Sequence, residues 1–314
     1  MQHPDLAALV LEQRSANERL TLDGRRVPLP GAVPVNLLRR ARQFNADGSP
    51  KALRTAHAND RELSTPQGPF MVREFPHEQG AGLYIHFHGG GWALGSVHEQ
   101  DGLLDSLGKA SGLRVVSIDY PLTPEHELPE ILARATAAAR VVIETYGCGK
   151  VCLGGESAGA HIAVCVALDL AGEREHAAKI RGLNLCYGIY DLSMSPSQRR
   201  AGDGFIGLSR PYLEWFYNLA LPGRSLEQRR DPAVSPLYRD LSHMPACLFS
   251  VGDLDPLLDD TLFMAARWRA AGNPMQLQVY PEAHHGFNAL STGMAKLAND
   301  RVHRFLASCV QDVE

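Results

Sequence analysis

The sequence has no excess of basic residues. Its 31 lysines and arginines face 35 aspartates and glutamates, for a net charge of −4. That balance argues against nucleic-acid binding, whose footprint is basic. Paired arginines do occur at Arg39-Arg40, Arg199-Arg200 and Arg229-Arg230, and each pair reads as a solvated face. Long apolar runs are also missing. The first 20 residues are interrupted by Asp5, Glu12, Arg14 and Glu18, so neither a secretory signal nor a membrane span is expected, and a cytoplasmic protein is the default. Cysteine is sparse and scattered, at 148, 152, 165, 186, 247 and 309. This spacing is no disulfide framework and suits free thiols in a reducing compartment. Cys148 and Cys152 lack the second ligand pair of a zinc site. His86 and His88 share a strand face by the period of two, but no third ligand has a recognisable spacing. Neither a metal nor a cofactor is expected. Internal repeats and low-complexity segments are absent.

What is present reads as a globular chain of 314 residues, 45% hydrophobic and 21% charged. That length fits one large α/β domain with an insertion, or two small domains. Residues 1–45 suit two helices around a Pro/Gly-rich stretch, the first carrying Leu6, Leu9 and Val10, the second Leu37, Leu38 and Ala41. From about residue 60 short apolar runs alternate with helical ones. Strands are expected at 70–75, 83–87, 113–118, 151–153, 183–187, 247–251 and 276–280. Helices are expected near 128–145, 257–271 and 295–310, with two more around Leu104 and Ile162. This alternation implies a mostly parallel sheet covered by helices on both faces. Residues 192–232 break it. They show no strand but carry Phe205, Tyr212, Trp215, Phe216 and Tyr217, and read as a helical lid. The sheet-based core then falls into two parts, 60–191 and 233–314.

Two glycine-rich segments carry the chemistry. His88-Gly89-Gly90-Gly91-Trp92 follows the run 83–87, and Gly155-Glu156-Ser157-Ala158-Gly159 follows 151–153. The second has the Gly-x-Ser-x-Gly form of a sharp strand-to-helix turn that exposes a serine. The first can supply backbone N–H groups to an oxyanion. Acyl transfer by serine also needs a base and a group that orients the base. Downstream, the run 247–251 leads into Asp253-Leu254-Asp255-Pro256, and 276–280 leads into His284-His285-Gly286-Phe287. The order serine, acid, histidine is that of α/β-hydrolases. Two carboxylates and two histidines compete for the last two roles.

On His88–Trp92, Asp119–His126, Gly154–Ala160, Asp255-Pro256-Leu257 and His285-Gly286-Phe287, the chain resembles the hormone-sensitive-lipase-like family of α/β-hydrolase carboxylesterases, which includes bacterial acetyl esterases. The resemblance runs from about residue 60 to the end. It implies an α/β-hydrolase fold with a helical cap built from residues 1–45 and 192–232. It implies Ser157 as nucleophile, Asp255 as orienting acid and His285 as base, with Gly90, Gly91 and Ala158 as oxyanion donors. Phe205, Tyr212, Trp215 and Phe216 are the expected acyl-pocket wall. The expected reaction is cofactor-free hydrolysis of a small-molecule ester of short or medium acyl chain. An amidase or arylformamide hydrolase with the same triad, or a binding protein that has lost turnover, are the alternatives. A homodimer is left open.

Overall fold

The structure is a computed structural model. It describes residues 5–22, 31–45, 49, 51, 54–77, 82–202 and 206–311. Two helices come first, α1 (Leu6–Leu22) and α2 (Val35–Gln43). Strands β1 (Asn59–Thr65), β2 (Gly68–Phe75) and β3 (Leu83–Phe87) follow, then α3 (Asp101–Ser111), β4 (Arg114–Ile118) and α4 (Leu128–Tyr146). Next come β5 (Val151–Glu156), α5 (Ala158–Ala171), the short α6 (Arg174–Ala177) and β6 (Ile180–Cys186). Helices α7 (Pro196–Arg200) and α8 (Arg210–Ala220) occupy the segment expected to be a lid. The chain closes with β7 (Ala246–Gly252), α9 (Leu258–Ala270), β8 (Met275–Tyr280) and α10 (Gly293–Val310).

The eight strands form one sheet in the order β1-β2-β4-β3-β5-β6-β7-β8. Only the β1–β2 and β2–β4 pairs are antiparallel. Strands β3 to β8 run parallel to their neighbours. Their side chains alternate between two cores. Leu83, Ile85 and Phe87 of β3 join α4, α5 and α9 on one face, while Tyr84 joins α3 and α10 on the other. This is the α/β-hydrolase architecture expected of the sequence.

Three features depart from expectation. Strand β1, Asn-Asp-Arg-Glu-Leu-Ser-Thr, has no apolar pattern because it is an edge strand with only Leu63 buried. Strand β5 extends past Leu153 through Gly154 and Gly155 to Glu156, since both glycines lie between flanking strands. Helix α1 turns a polar side inward. Leu6 is exposed, whereas Gln13 and Asn17 are buried. Gln13 accepts from Thr292 Oγ1 (2.9 Å), and Asn17 Nδ2 donates to the Glu282 carbonyl (2.8 Å). Arg14 adds an ion pair to Glu282 (2.5 Å). The helix therefore packs on the loop after β8 and on α10, through these hydrogen bonds and through Leu9 and Val10, which lie against the core as expected. The six cysteines are free, four of them buried. Among the described residues no helix is long and apolar enough to cross a membrane.

Candidate active site

Because β3, β5, β7 and β8 are parallel, the loops that leave them emerge at one edge of the sheet. That edge is where open α/β sheets place their ligands. Ser157 follows β5 directly, with φ 57 and ψ −119. Its N–H donates to the Cys186 carbonyl (2.9 Å), and its own carbonyl accepts from His161 (3.1 Å). The flanking glycines are dictated by space. A Cβ on Gly155 or Gly159 would collide with the Phe87 carbonyl oxygen at the end of β3. The turn is that tight because α5 must start against the neighbouring strand.

His285 stands between Ser157 and Asp255. Its Nε2 is 3.0 Å from Ser157 Oγ, and its Nδ1 is 2.9 Å and 3.1 Å from the two Asp255 oxygens. Asp255 is buried, and its Oδ1 also accepts from the Leu257 N–H (2.8 Å). The competing residues are elsewhere. Asp253 is exposed, with its N–H on the Tyr280 carbonyl. His284 is turned back, its Nδ1 2.7 Å from the His285 carbonyl. Sequence reasoning passed over Tyr187, which leaves β6 with φ 36 and sets its ring edge-on to His285 (4.7 Å). Its hydroxyl is held by Asn288 Oδ1 (2.5 Å).

The loop after β3 is folded tightly. Gly90 (φ 128) and Gly91 (φ 60) take left-handed conformations, and the Gly90 carbonyl accepts from Ala93 and Leu94 (3.2 and 2.8 Å). No described residue accepts from the N–H of Gly90, Gly91 or Ala158. The last of these opens α5, where backbone donors are unpaired and the helix dipole favours negative charge. Tyr120 stacks on His88 (4.2 Å) and donates to its carbonyl (2.6 Å). Burial pushes the His88 imidazole down to about 3 and the His161 imidazole down to about 4. His161 accepts from Trp92 Nε1 (3.2 Å) and donates through Nε2 to the Val234 carbonyl (2.8 Å). His86 is saturated by Ser117 and Glu156. These three histidines are structural, and among the described residues no group of three or more histidines, cysteines and carboxylates could hold a metal.

A cavity of about 560 Å³ opens above Ser157. Tyr212, Trp215 and Phe216, at i, i+3 and i+4 on α8, form part of its wall. The fourth expected wall residue, Phe205, lies outside the described residues. Helix α2 contributes Leu38, Ala41 and Arg42 at the same spacing. It is held down by Arg39, which corrects the reading of that arginine pair as solvated. Arg39 donates to the carbonyls of Ala93 and Thr123 (2.7 Å each) and to both Glu125 oxygens (2.8 Å each). Arg229 is likewise buried, on Asn218 Oδ1 (2.6 Å). Its binding partner lies on α8, so this pair too has one inward member.

The comparisons with known proteins bear on the family and the fold. Residues 84–289 match the model of a family described as alpha/beta hydrolase fold. The chain belongs to the alpha/beta hydrolase family. It is similar to acetyl esterase from Salmonella typhi, 29% identical over 266 residues, covering 82% of this chain and 80% of the relative. Among solved structures it is similar to an ester-hydrolase from the metagenome of Lake Arreo in complex with a bipyridine phosphonate derivative. That likeness has a TM-score of 0.82 and 27% identity, covering 96% of this chain and 98% of the other. A hyperthermophilic esterase from Pyrobaculum calidifontis shares the fold, with TM-score 0.80 and 24% identity over 95% and 98% of the two chains. Family and relatives together make this hydrolase a carboxylic ester hydrolase.

Proposed function

We propose that Ser157 is the nucleophile, His285 the general base and Asp255 the group that orients it. The observation that carries this reading is the continuous chain of hydrogen bonds from Ser157 Oγ through His285 to Asp255. His285 Nε2 takes the hydroxyl proton as Oγ attacks the ester carbonyl. Asp255 accepts from Nδ1–H, fixes the tautomer and stabilises the imidazolium. The N–H groups of Gly90, Gly91 and Ala158 stabilise the oxyanion, an effect worth about 2.7–4 kcal/mol per donor in comparable sites. His285 then protonates the departing alcohol. Water attacks the acyl-enzyme with the same imidazole as base, and Ser157 is released.

Helices α2, α7 and α8 act as the cap, and Tyr212, Trp215 and Phe216 as the acyl wall. The preferred acyl chains are short to medium, roughly two to eight carbons, because each methylene gains ~0.8 kcal/mol only while it meets apolar wall. The acetyl esterase relatives support the short end of that range. They give no support to an amidase. A binding-only role would leave an assembled proton relay without use. The free thiols support a reducing, cytoplasmic setting.

The test is kcat/KM over p-nitrophenyl esters of graded chain length, with the matching anilides alongside. The expected profile peaks at or below about eight carbons, with anilides far slower. A peak beyond about twelve carbons would replace the small-ester reading with a lipase.

A further inference from the structure

The cavity has a second, polar end that the triad does not use. Arg42 from α2, Ser96, Glu99 and Gln100 from the loop after β3, and Glu156 from the end of β5 line it. Glu156 immediately precedes the nucleophile, and its side chain is only 9% exposed. Two donors hold it, His86 Nε2 and Gln100 Nε2, each 3.0 Å away. Both reach the same oxygen, Oε2. No described residue donates to Oε1. With Oε2 taken by two donors, Oε1 is the carboxylate oxygen still free to accept a hydrogen bond from a group in the cavity.

The neighbouring groups define that donor further. Arg42 uses Nε on Glu99 Oε2 (2.9 Å), and its two terminal nitrogens donate to no described residue. The Ser96 hydroxyl has no described acceptor; its oxygen takes only a long bond from the His98 N–H (3.4 Å). One wall therefore offers acceptors, Glu156 Oε1 together with Glu99 Oε1 and Gln100 Oε1, which have no partner among the described residues, beside spare donors on Arg42 and Ser96. A hydroxyl group both donates and accepts, so it can use Glu156 Oε1 and a spare donor of Arg42 or Ser96 at once.

Resting on the esterase reading of the same site, we propose that the ester this enzyme is built for carries a hydroxyl group on one of its two arms, and that Glu156 Oε1 receives its hydrogen bond. Glu156 is then a specificity-determining residue, with His86 and Gln100 holding its carboxylate in place. The class of substrate is a hydroxylated ester, such as a partly acylated polyol.

The experiment compares kcat/KM within two pairs of nearly isosteric esters. One pair varies the alcohol arm, 2-hydroxyethyl acetate against n-propyl acetate. The other varies the acyl arm, methyl 3-hydroxypropanoate against methyl butanoate. The wild-type enzyme should prefer the hydroxylated member about tenfold in one of the pairs, the size of one hydrogen bond to a charged group. Taking the ratio within a pair cancels any general loss of activity in a variant. Glu156→Gln should reduce the preference severalfold, and Glu156→Met should bring it to about one. The wild-type ratio and the Glu156→Gln ratio keep the test valid if the Met variant does not fold. A ratio near one in both wild-type pairs, or one that neither variant moves, overturns the proposal. Turnover of none of the four esters would instead count against the esterase reading.

Discussion

Ser157 holds a backbone conformation that a side chain rarely adopts, at a cost of about 1–3 kcal/mol. Its N–H on Cys186 and its carbonyl under His161 keep it there. In the proposed mechanism one side-chain atom, Ser157 Oγ, decides activity, and the neighbouring residues decide which proton moves. Asp255→Asn should lower kcat by about 10⁴, the scale seen when a serine-protease aspartate becomes an amide and favours the wrong imidazole tautomer. Asp253→Asn should leave kcat within about twofold, because that residue is exposed and does not touch His285. If the Asp253 variant is the crippled one, the assignment of the acid is wrong. Gly91→Ala should also abolish turnover, since its φ is 60 and a Cβ would collide with the Phe216 ring.

The buried histidines set the acid limit of the fold. His88 and His161 are held neutral by burial, down to about 3 and about 4. In the unfolded chain they take up protons near 6.5. Below that pH the unfolded state binds more protons, so stability falls as pH drops, by about 1.4 kcal/mol per unit for each group. Asp260 runs the opposite way. Burial raises it to about 6, so its contribution is greatest below about 4 and is lost as pH rises through 6. Two histidines outweigh one aspartate, so the urea midpoint should fall from pH 6.5 to 4.5. In His161→Gln the fall should be shallower. An identical slope in that variant would mean His161 is not held neutral.

At the scale of elements, what was legible in the sequence followed from apolar pattern and glycine. The parallel strands are near-continuous apolar runs because both their faces are covered, and the turn at Ser157 announces itself because only small residues fit beside Phe87. Strand β1 escaped because an edge strand with one buried leucine has no such pattern. The inward face of α1 escaped for a similar reason. Gln13 and Asn17 face backbone groups and a threonine, and a polar contact has no hydrophobic period to detect. The distinction between Asp253 and Asp255 could be drawn only from the residues that follow them, because position after β7 suits both. Tyr187 carried no signal at all, since an aromatic at a strand end is equally at home in the core.

Helices α2 and α8, which line the cavity, are the elements whose change should alter selection without altering chemistry. Trp215→Ala or Phe216→Ala should shift the chain-length optimum upward, because each removes apolar wall from the cavity. An unchanged profile in both variants would show that α8 does not bound the acyl site. Arg39→Ala should raise KM more than it lowers kcat. The arginine holds α2 over the cavity through four acceptors and does not reach Ser157.

At the scale of the whole molecule, one sheet edge gathers residues from sequence positions as distant as 42, 90, 157, 255 and 285. Parallel strands make that possible, because every strand in the run β3 to β8 delivers its loop to the same side. Buried cross-links then hold the edge in register. Asp260 on α9 accepts from the N–H groups of Tyr190 and Asp191 (2.8 and 3.0 Å), Ser195 Oγ (2.5 Å) and Gln198 Nε2 (2.6 Å), tying the segment that leads into α7 to the core. The most direct test of this arrangement is mass-spectrometric mapping after labelling with a small organophosphate, paired with the activity of Ser157→Ala. A single adduct on Ser157 is expected, with esterase activity lost in the variant while its urea midpoint stays within a few tenths of a molar unit of wild type. An adduct on another serine, or wild-type turnover by a folded Ser157→Ala, would contradict the account.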